Sequence, residues 1–317
     1  LAIAGRSRGE SVNEPRHHEY LGLGMAGFHR LHYCEWGRRA NKRVVICAHG
    51  YSGNARDFDF IATALADDYR VICPDIAGRG QSDWLEAPLG YNFGQFLSDL
   101  NALLARVGAS QVDWVGTSMG GILGMLLAAQ PHSPIARLVM NDVGAFLPSK
   151  ALREIGNNLV APEHFDSRAA IEDHLRHSHR DWGNLSDAQW QHLAQHGARP
   201  DGDGFRLHYD PRIAQLGSQW TPGPGLFFWD VWERIKCPAL LLRGERSGVF
   251  PATVAEQMLE RHAGAQLVEL PDCGHAPALM SRGQIAIVKA FLDEDRPASR
   301  APDSVYRRLS GIEAGAD

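Results

Sequence analysis

The chain has 317 residues, 44% hydrophobic and 22% charged, with a formal net charge of −5. This is the composition of a globular chain with a sizeable core, and its mild acidity argues against nucleic acid as a partner, which demands a basic patch. No apolar run reaches the roughly 18 residues of a membrane span, and five scattered cysteines without a CxxC pair read as free thiols of a reducing cytoplasm.

In chain order, residues 1–18 are polar and read as a flexible arm. Leu1 to Gly5 is too short for a signal-peptide core, and the absence of an initial Met leaves a removed leader open. Strands are expected at Gly27–Glu35, Arg43–Ala48 and Arg70–Cys73, the last closed by Pro74, then at Val112–Val115 and Arg137–Met140. Two more follow at Ala239–Leu242 and Gln266–Leu270. Between them, helical spacing marks Asn54–Ala66, Asn92–Val107, Met119–Gln130, Ala252–Arg261 and Gln284–Leu292. Short apolar runs alternating with amphipathic helices predict an α/β fold, a mostly parallel sheet covered on both faces. Residues 145–235 break the rhythm, with helical segments at Ala151–Leu159, Ala169–His177, Asp187–His196 and Phe227–Arg234 but no convincing strand pair. So long a stretch needs structure of its own. It reads as a helical cap inserted into a core of residues 19–144 and 236–292, and 293–317 reads as a polar tail.

The chemistry concentrates at the strand ends. Gly116-Thr117-Ser118-Met119-Gly120 is a G-x-S-x-G segment that a strand enters and a helix leaves. A turn that sharp needs small residues two places either side of the serine and lifts the hydroxyl to the sheet edge as a nucleophile. The plainer alternative is a glycine-rich turn with Ser118 as a helix cap. A serine nucleophile needs donors for the oxyanion of its tetrahedral intermediate. Met119 N–H is one candidate, and Tyr51 N–H is the other, in His49-Gly50-Tyr51-Ser52-Gly53 directly after a strand. His49 and Gly50 support that loop, His49 by hydrogen bonding rather than proton transfer. His275, in Pro271-Asp272-Cys273-Gly274-His275-Ala276-Pro277 after the last strand, is the candidate base. Many histidines of residues 145–235, such as His174, His177, His179, His192 and His196, read as surface residues.

Four ordered segments, the H-G-x-x-G loop, Pro74-Asp75-Ile76-Ala77-Gly78-Arg79-Gly80-Gln81-Ser82, G-T-S-M-G-G and G-H-A-P, resemble the α/β-hydrolase superfamily over about residues 20 to 292. Among its members the chain looks most like microbial esterases and lipase-like proteins. The resemblance implies an eight-stranded sheet with its second strand antiparallel and a cap after strand six. It also implies a Ser-acid-His order, with the acid usually after strand seven. There this chain reads Gly244-Glu245-Arg246-Ser247-Gly248, with Gly248 where related sequences tend to carry Asp. Some superfamily members place the acid after strand six instead, where Asp142 stands in Asn141-Asp142-Val143-Gly144. Asp142 is therefore the preferred acid and Glu245 the alternative. A Ser–His dyad, or a merely structural Asp142 pinning loops, stays open.

The expected function is hydrolysis of a small hydrophobic or aromatic carboxylic ester through an acyl-enzyme, with no metal and no organic cofactor. Trp182, Trp190, Trp220, Phe227, Phe228, Trp229 and Trp232 either face that substrate or glue the cap. Two alternatives remain. One is a carbon–carbon bond hydrolase of a ring-cleavage product, against which Ala276 weighs, since those relatives often carry Trp there. The other is a ligand receptor on the same scaffold, raised by Gly248.

Overall fold

The structure, a computed structural model, describes residues 14–158, 162–214 and 223–294. Most of the expected arm and tail, together with Leu159, Trp220, Thr221 and Pro222, lie outside the described residues.

An eight-stranded sheet runs β1 (Arg16–Gly24), β2 (Gly27–Trp36), β4 (Arg70–Asp75), β3 (Val44–Ala48), β5 (Val112–Thr117), β6 (Ile135–Asn141), β11 (Ala239–Gly244) and β12 (Ala265–Leu270). β2 is antiparallel to both neighbours and every later pair is parallel. All five residues of β3 are buried, as a strand covered on both faces requires. Helices α1 (Asp59–Leu65), α2 (Phe93–Val107), α3 (Met119–Ala128), α8 (Ala252–Arg261) and α9 (Arg282–Asp293) close the two faces. Each fully buried side chain such as Ile46, Leu103 or Leu292 contributes about 1.5–3 kcal/mol of hydrophobic stabilisation. α2 shows how local sequence sets its limits. The Asn92 side chain accepts from Gln95 N–H at the start, and Gly108 takes the left-handed φ of +68° at the end.

Strand order positions the site. The chain passes from β3 to β4 on one side and then crosses to β5 on the other, so strand order reverses beside β3. Crevices form at the carboxyl ends of strands at such a point. The loops after β3, β5, β6, β11 and β12 all open there, although their residues run from His49 to His275.

Several expectations need correction. β1 was not anticipated, and Arg16 to His18 belong to it rather than to an arm. Its polar, glycine-containing run RHHEYLGLG lacks an apolar stripe, and its pairing with β2 makes it a strand. Pro74 does not end β4, because the β3–β4 ladder stops at Ile72 and the missing N–H is not needed there. Residues 145–235 do contain strand pairs, β7 (Phe146–Pro148) with β10 (Gly225–Phe227) and β8 (Ala198–Asp201) with β9 (Gly204–Leu207). Three or four residues are too few for alternation to register. Helices α4 (Ser149–Asn158), α5 (Arg168–Ser178), α6 (Asp187–Gly197) and α7 (Trp229–Trp232) complete that segment, with Phe227 in a strand rather than a helix. Asp293, placed in the tail by sequence, ends α9 and accepts hydrogen bonds from Arg43 and Tyr69. No described helix is long and apolar enough to cross a membrane.

Candidate active site

Ser118 sits between β5 and α3 with φ +50°, a value that costs a non-glycine residue strain and marks a tightly turned backbone. The flanking glycines are required by space. A Cβ on Gly116 would collide with the Gly120 carbonyl, and one on Gly120 with the Ala48 carbonyl of β3.

Ser118 Oγ lies 3.0 Å from His275 Nε2. On the far side of the ring, His275 Nδ1 lies 2.8 Å from Asp142 Oδ2. Asp142 has no exposed surface, so every lone pair must find a protein donor. Gly244 N–H donates to Oδ1 at 2.7 Å, and Ser247 Oγ–H donates to Oδ2 at 2.6 Å. With the carboxylate on Nδ1–H, the Nε2 lone pair faces the serine hydroxyl. Glu245 is exposed, and its backbone is tied to Leu270 and Arg243, so Asp142 rather than Glu245 meets the imidazole. Around Gly248 a Cβ would find open space. Ser247 is a contributor that sequence reasoning missed, and in the run Glu245-Arg246-Ser247-Gly248 nothing marks it out.

The loop after β3 is held from several directions. His49 is buried, donates from Nδ1 to Gly50 O at 2.6 Å and accepts Ile76 N–H on Nε2 at 3.0 Å. Burial pushes its pKa down to about 4 and keeps the ring neutral. Both nitrogens are engaged in fixing the loop. Tyr51 donates its hydroxyl to Ile213 O at 2.8 Å, and the buried Arg79 donates Nε–H to Tyr51 O at 2.9 Å. Gly53, rather than Gly50, is the position that space demands. A Cβ there would strike the Asp57 carboxylate, whereas one on Gly50 would stand 3.8 Å from Ser118 Cβ, an ordinary contact. Met119, the first residue of α3, is buried directly behind the serine.

Ser118, His275, Gly50 and Tyr51 line a cavity of about 880 Å³, its open mouth included. Ile155, Ser178, His179 and Trp182 come to it from the stretch between β6 and β11. His179 therefore is not a surface residue. Burial lowers its pKa to about 4, and its Nδ1 lies 2.8 Å from Ser178 Oγ. Of the other histidines read as surface residues, His177 is exposed, while His174, His192 and His196 are partly buried. Asp57 also faces the cavity, its carboxyl pushed up to about 7 by burial. Its signal was present but ambiguous, because Asn54 and Asp57 also form a reciprocal helix cap. Of the aromatics, Trp182 faces the cavity, Trp232 is fully buried with its Nε1–H on Met258 O, and Phe227 is largely exposed. Phe228 and Trp229 pack against the core, and Trp190 lines a smaller neighbouring cavity. Among the described residues, two groups have metal-binding spacing, His17/His32/Cys34 and Asp59/His192/His196, and neither lines the cavity with Ser118.

Comparison with known proteins gives a consistent picture. Residues 43–279 match the family model for the alpha/beta hydrolase fold. The chain is 41% identical over 277 residues to a 3-hydroxybutyrate-oligomer hydrolase of Cupriavidus necator, covering 85% of this chain and 94% of that one. It superposes on a solved structure from Rickettsia typhi with TM-score 0.82 and 29% identity, over 89% of this chain and 99% of that one. An alpha/beta hydrolase from Novosphingobium aromaticivorans gives TM-score 0.79 and 33% identity, over 88% of this chain and 98% of that one.

Proposed function

Because the chain belongs to the α/β-hydrolase family, we propose that it hydrolyses carboxylic esters by way of an acyl-enzyme on Ser118. One observation carries this: a single imidazole, His275, bridges the Ser118 hydroxyl and the buried Asp142 carboxylate. His275 Nε2 takes the hydroxyl proton as Oγ attacks the ester carbonyl. Asp142 holds the ring in the required tautomer and stabilises the imidazolium. The N–H groups of Met119 and Tyr51 receive the oxyanion, where one such donor contributes about 2.7–4 kcal/mol. The intermediate collapses, the C–O bond breaks, and His275 returns its proton to the leaving alcohol. Water, deprotonated by the same nitrogen, then attacks the acyl-enzyme and releases the acid. In this reading residues 145–235 act as a cap, since Ile155, His179 and Trp182 come from there to the cavity.

The substrate we infer is a short oligoester of a hydroxy acid. The 41% identity to a hydrolase of 3-hydroxybutyrate oligomers supports it, as does a cavity lined by both apolar and polar side chains, Ile155 and Trp182 beside His179 and Asp57. The receptor alternative rests on the missing carboxylate at Gly248, and the contact of Asp142 with His275 weighs against it. The test is turnover of the 3-hydroxybutyrate dimer and trimer beside a butyrate aryl ester. Release of 3-hydroxybutyrate, lost in Ser118→Ala, is expected. Aryl-ester cleavage without oligomer cleavage would keep the esterase and reject the oligomer. No ester turnover above the Ser118→Ala background would reject both.

A further inference from the structure

Outside the residues that line the catalytic cavity, the hairpin of β1 and β2 brings three lone-pair-bearing atoms together. The register sets His17 opposite Cys34, and His32, two residues from Cys34, projects to the same face of the sheet. His17 Nδ1 lies 2.9 Å from His32 Nε2 and 3.7 Å from Cys34 Sγ. All three donor atoms fall within 4.8 Å of one another. We propose that His17 Nδ1, His32 Nε2 and Cys34 Sγ form a binding site for one borderline-soft divalent ion, of which Zn²⁺ is the type.

The dimensions fit. Bonds of about 2.0–2.1 Å to nitrogen and 2.3 Å to sulfur in a tetrahedron separate nitrogens by about 3.3–3.4 Å and nitrogen from sulfur by about 3.5–3.6 Å. His17 Nδ1 and His32 Nε2 stand a few tenths of an ångström closer than that and His17 Nδ1 and Cys34 Sγ stand at about that spacing, while His32 Nε2 and Cys34 Sγ, within 4.8 Å of each other, draw together around the ion. A second observation bears on the same site. His32 Nδ1 lies 2.7 Å from Asp75 Oδ2, so the buried Asp75 carboxylate accepts a hydrogen bond from Nδ1–H, which keeps the proton on that nitrogen and leaves Nε2 as the ligand atom. A carboxylate behind a ligating histidine orients the ring and raises its basicity. Asp75 is itself fixed, by Ala55 N–H and Gln81 N–H.

The charges also close. Arg56 and Asp59 face the cluster from the neighbouring helical turn and neutralise each other through a close ion pair. The Asp75 carboxylate and the Cys34 thiolate then remain against the two positive charges of the ion. Binding replaces the Cys34 S–H bond by a metal–sulfur bond and releases that proton to solvent. His17 keeps one proton, on Nε2. His17 is exposed, which gives the ion an entry path and leaves its fourth position to water. No ligand belongs to the catalytic cavity, so the ion would pin β1 to the sheet rather than take part in the reaction.

The test uses Co²⁺ as a spectroscopic probe on the full-length protein freed of metal. One equivalent is expected to produce a thiolate-to-cobalt charge-transfer band that Zn²⁺ displaces. The band should vanish in Cys34→Ser and His17→Ala and persist in His192→Ala, which disables the other candidate cluster. Asp75→Asn should weaken affinity about 10–100-fold. Zn²⁺ should raise the melting temperature of the wild type but not of His17→Ala, whose exposed position makes it a safe variant for folding. Absence of the band in the wild type at saturating Co²⁺, or its survival in both Cys34→Ser and His17→Ala, would overturn the site.

Discussion

Asp142 Oδ2 lies 2.8 Å from His275 Nδ1, although 133 residues of chain separate them. Asp142 follows β6 and its N–H donates to Leu242 O of β11, so the neighbouring strand fixes where the carboxylate stands. Its φ of +56° turns the chain sharply there.

This contact makes Asp142→Asn the most informative substitution. The shape is kept but the imidazole is left in the wrong tautomer, and kcat on an ester should fall by up to about 10⁴-fold. Glu245→Gln should change little. Gly248→Asp in the Asp142→Asn background should recover part of the rate, because a Cβ at Gly248 meets open space. An Asp142→Asn protein that folds and keeps wild-type kcat would remove Asp142 from the mechanism.

Labelling isolates the nucleophile from the rest. A fluorophosphonate probe should modify the protein once, and peptide mapping should place the label on Ser118. Ser118→Ala should abolish it without lowering the melting temperature, since among the described residues His275 is the side-chain partner of Ser118 Oγ. Label retained in that variant would assign the nucleophile elsewhere.

Ser247 acts through Asp142. Its hydroxyl donates to Oδ2 and accepts Val249 N–H at 3.2 Å and Phe250 N–H at 3.1 Å. Ser247→Ala leaves one carboxylate lone pair and two backbone donors short of a partner, a cost of about 1–3 kcal/mol in stability. We expect kcat to drop about tenfold with KM unchanged, since the loss of one hydrogen bond worth about 1.4 kcal/mol in the transition state is a factor of ten in rate. A change in melting temperature alone would make Ser247 purely structural.

The buried His49 predicts a stability slope in acid. Its folded pKa of about 4 lies below the unfolded 6.5. The stability it contributes is therefore present above pH 6.5 and lost as pH falls toward 4, by at most about 1.4 kcal/mol per pH unit. His179 and His196, lowered by burial to about 4 and about 3, act in the same direction. Asp57, raised by burial to about 7, acts in the opposite one, its contribution being lost as pH rises through 7. The difference between wild type and His49→Asn isolates His49. Denaturant midpoints from pH 7 to pH 5 should fall more steeply in the wild type, and parallel slopes would contradict the assignment.

Two glycines near the serine should respond differently. Gly120→Ala drives a methyl group into the Ala48 carbonyl, and such overpacking costs about 1–3 kcal/mol or more. Gly50→Ala places its methyl at ordinary contact, 3.8 Å from Ser118 Cβ. Melting temperatures should separate the two, with Gly50→Ala near wild type.

What is local in this protein was legible in its sequence. Burial on both sheet faces writes short apolar runs such as Val44–Ala48, and the steric demands of the turn around Ser118 write Gly116 and Gly120. Those patterns determine the α/β class, the order of the core elements and the serine at a strand end. Strand β1 and the two small sheets after β6 were not legible, because few residues and mixed polarity leave no period to read, and pairing alone creates them. The choice of Asp142 over Glu245 also belongs to the tertiary structure. Both follow a sheet strand in the chain, and only the side-by-side packing of β6 and β11 sets which carboxylate is buried against His275 and which is left in solvent. Sequence order carries no distance between loops, and hydrogen bonds between them form only where neighbouring strands bring those loops together.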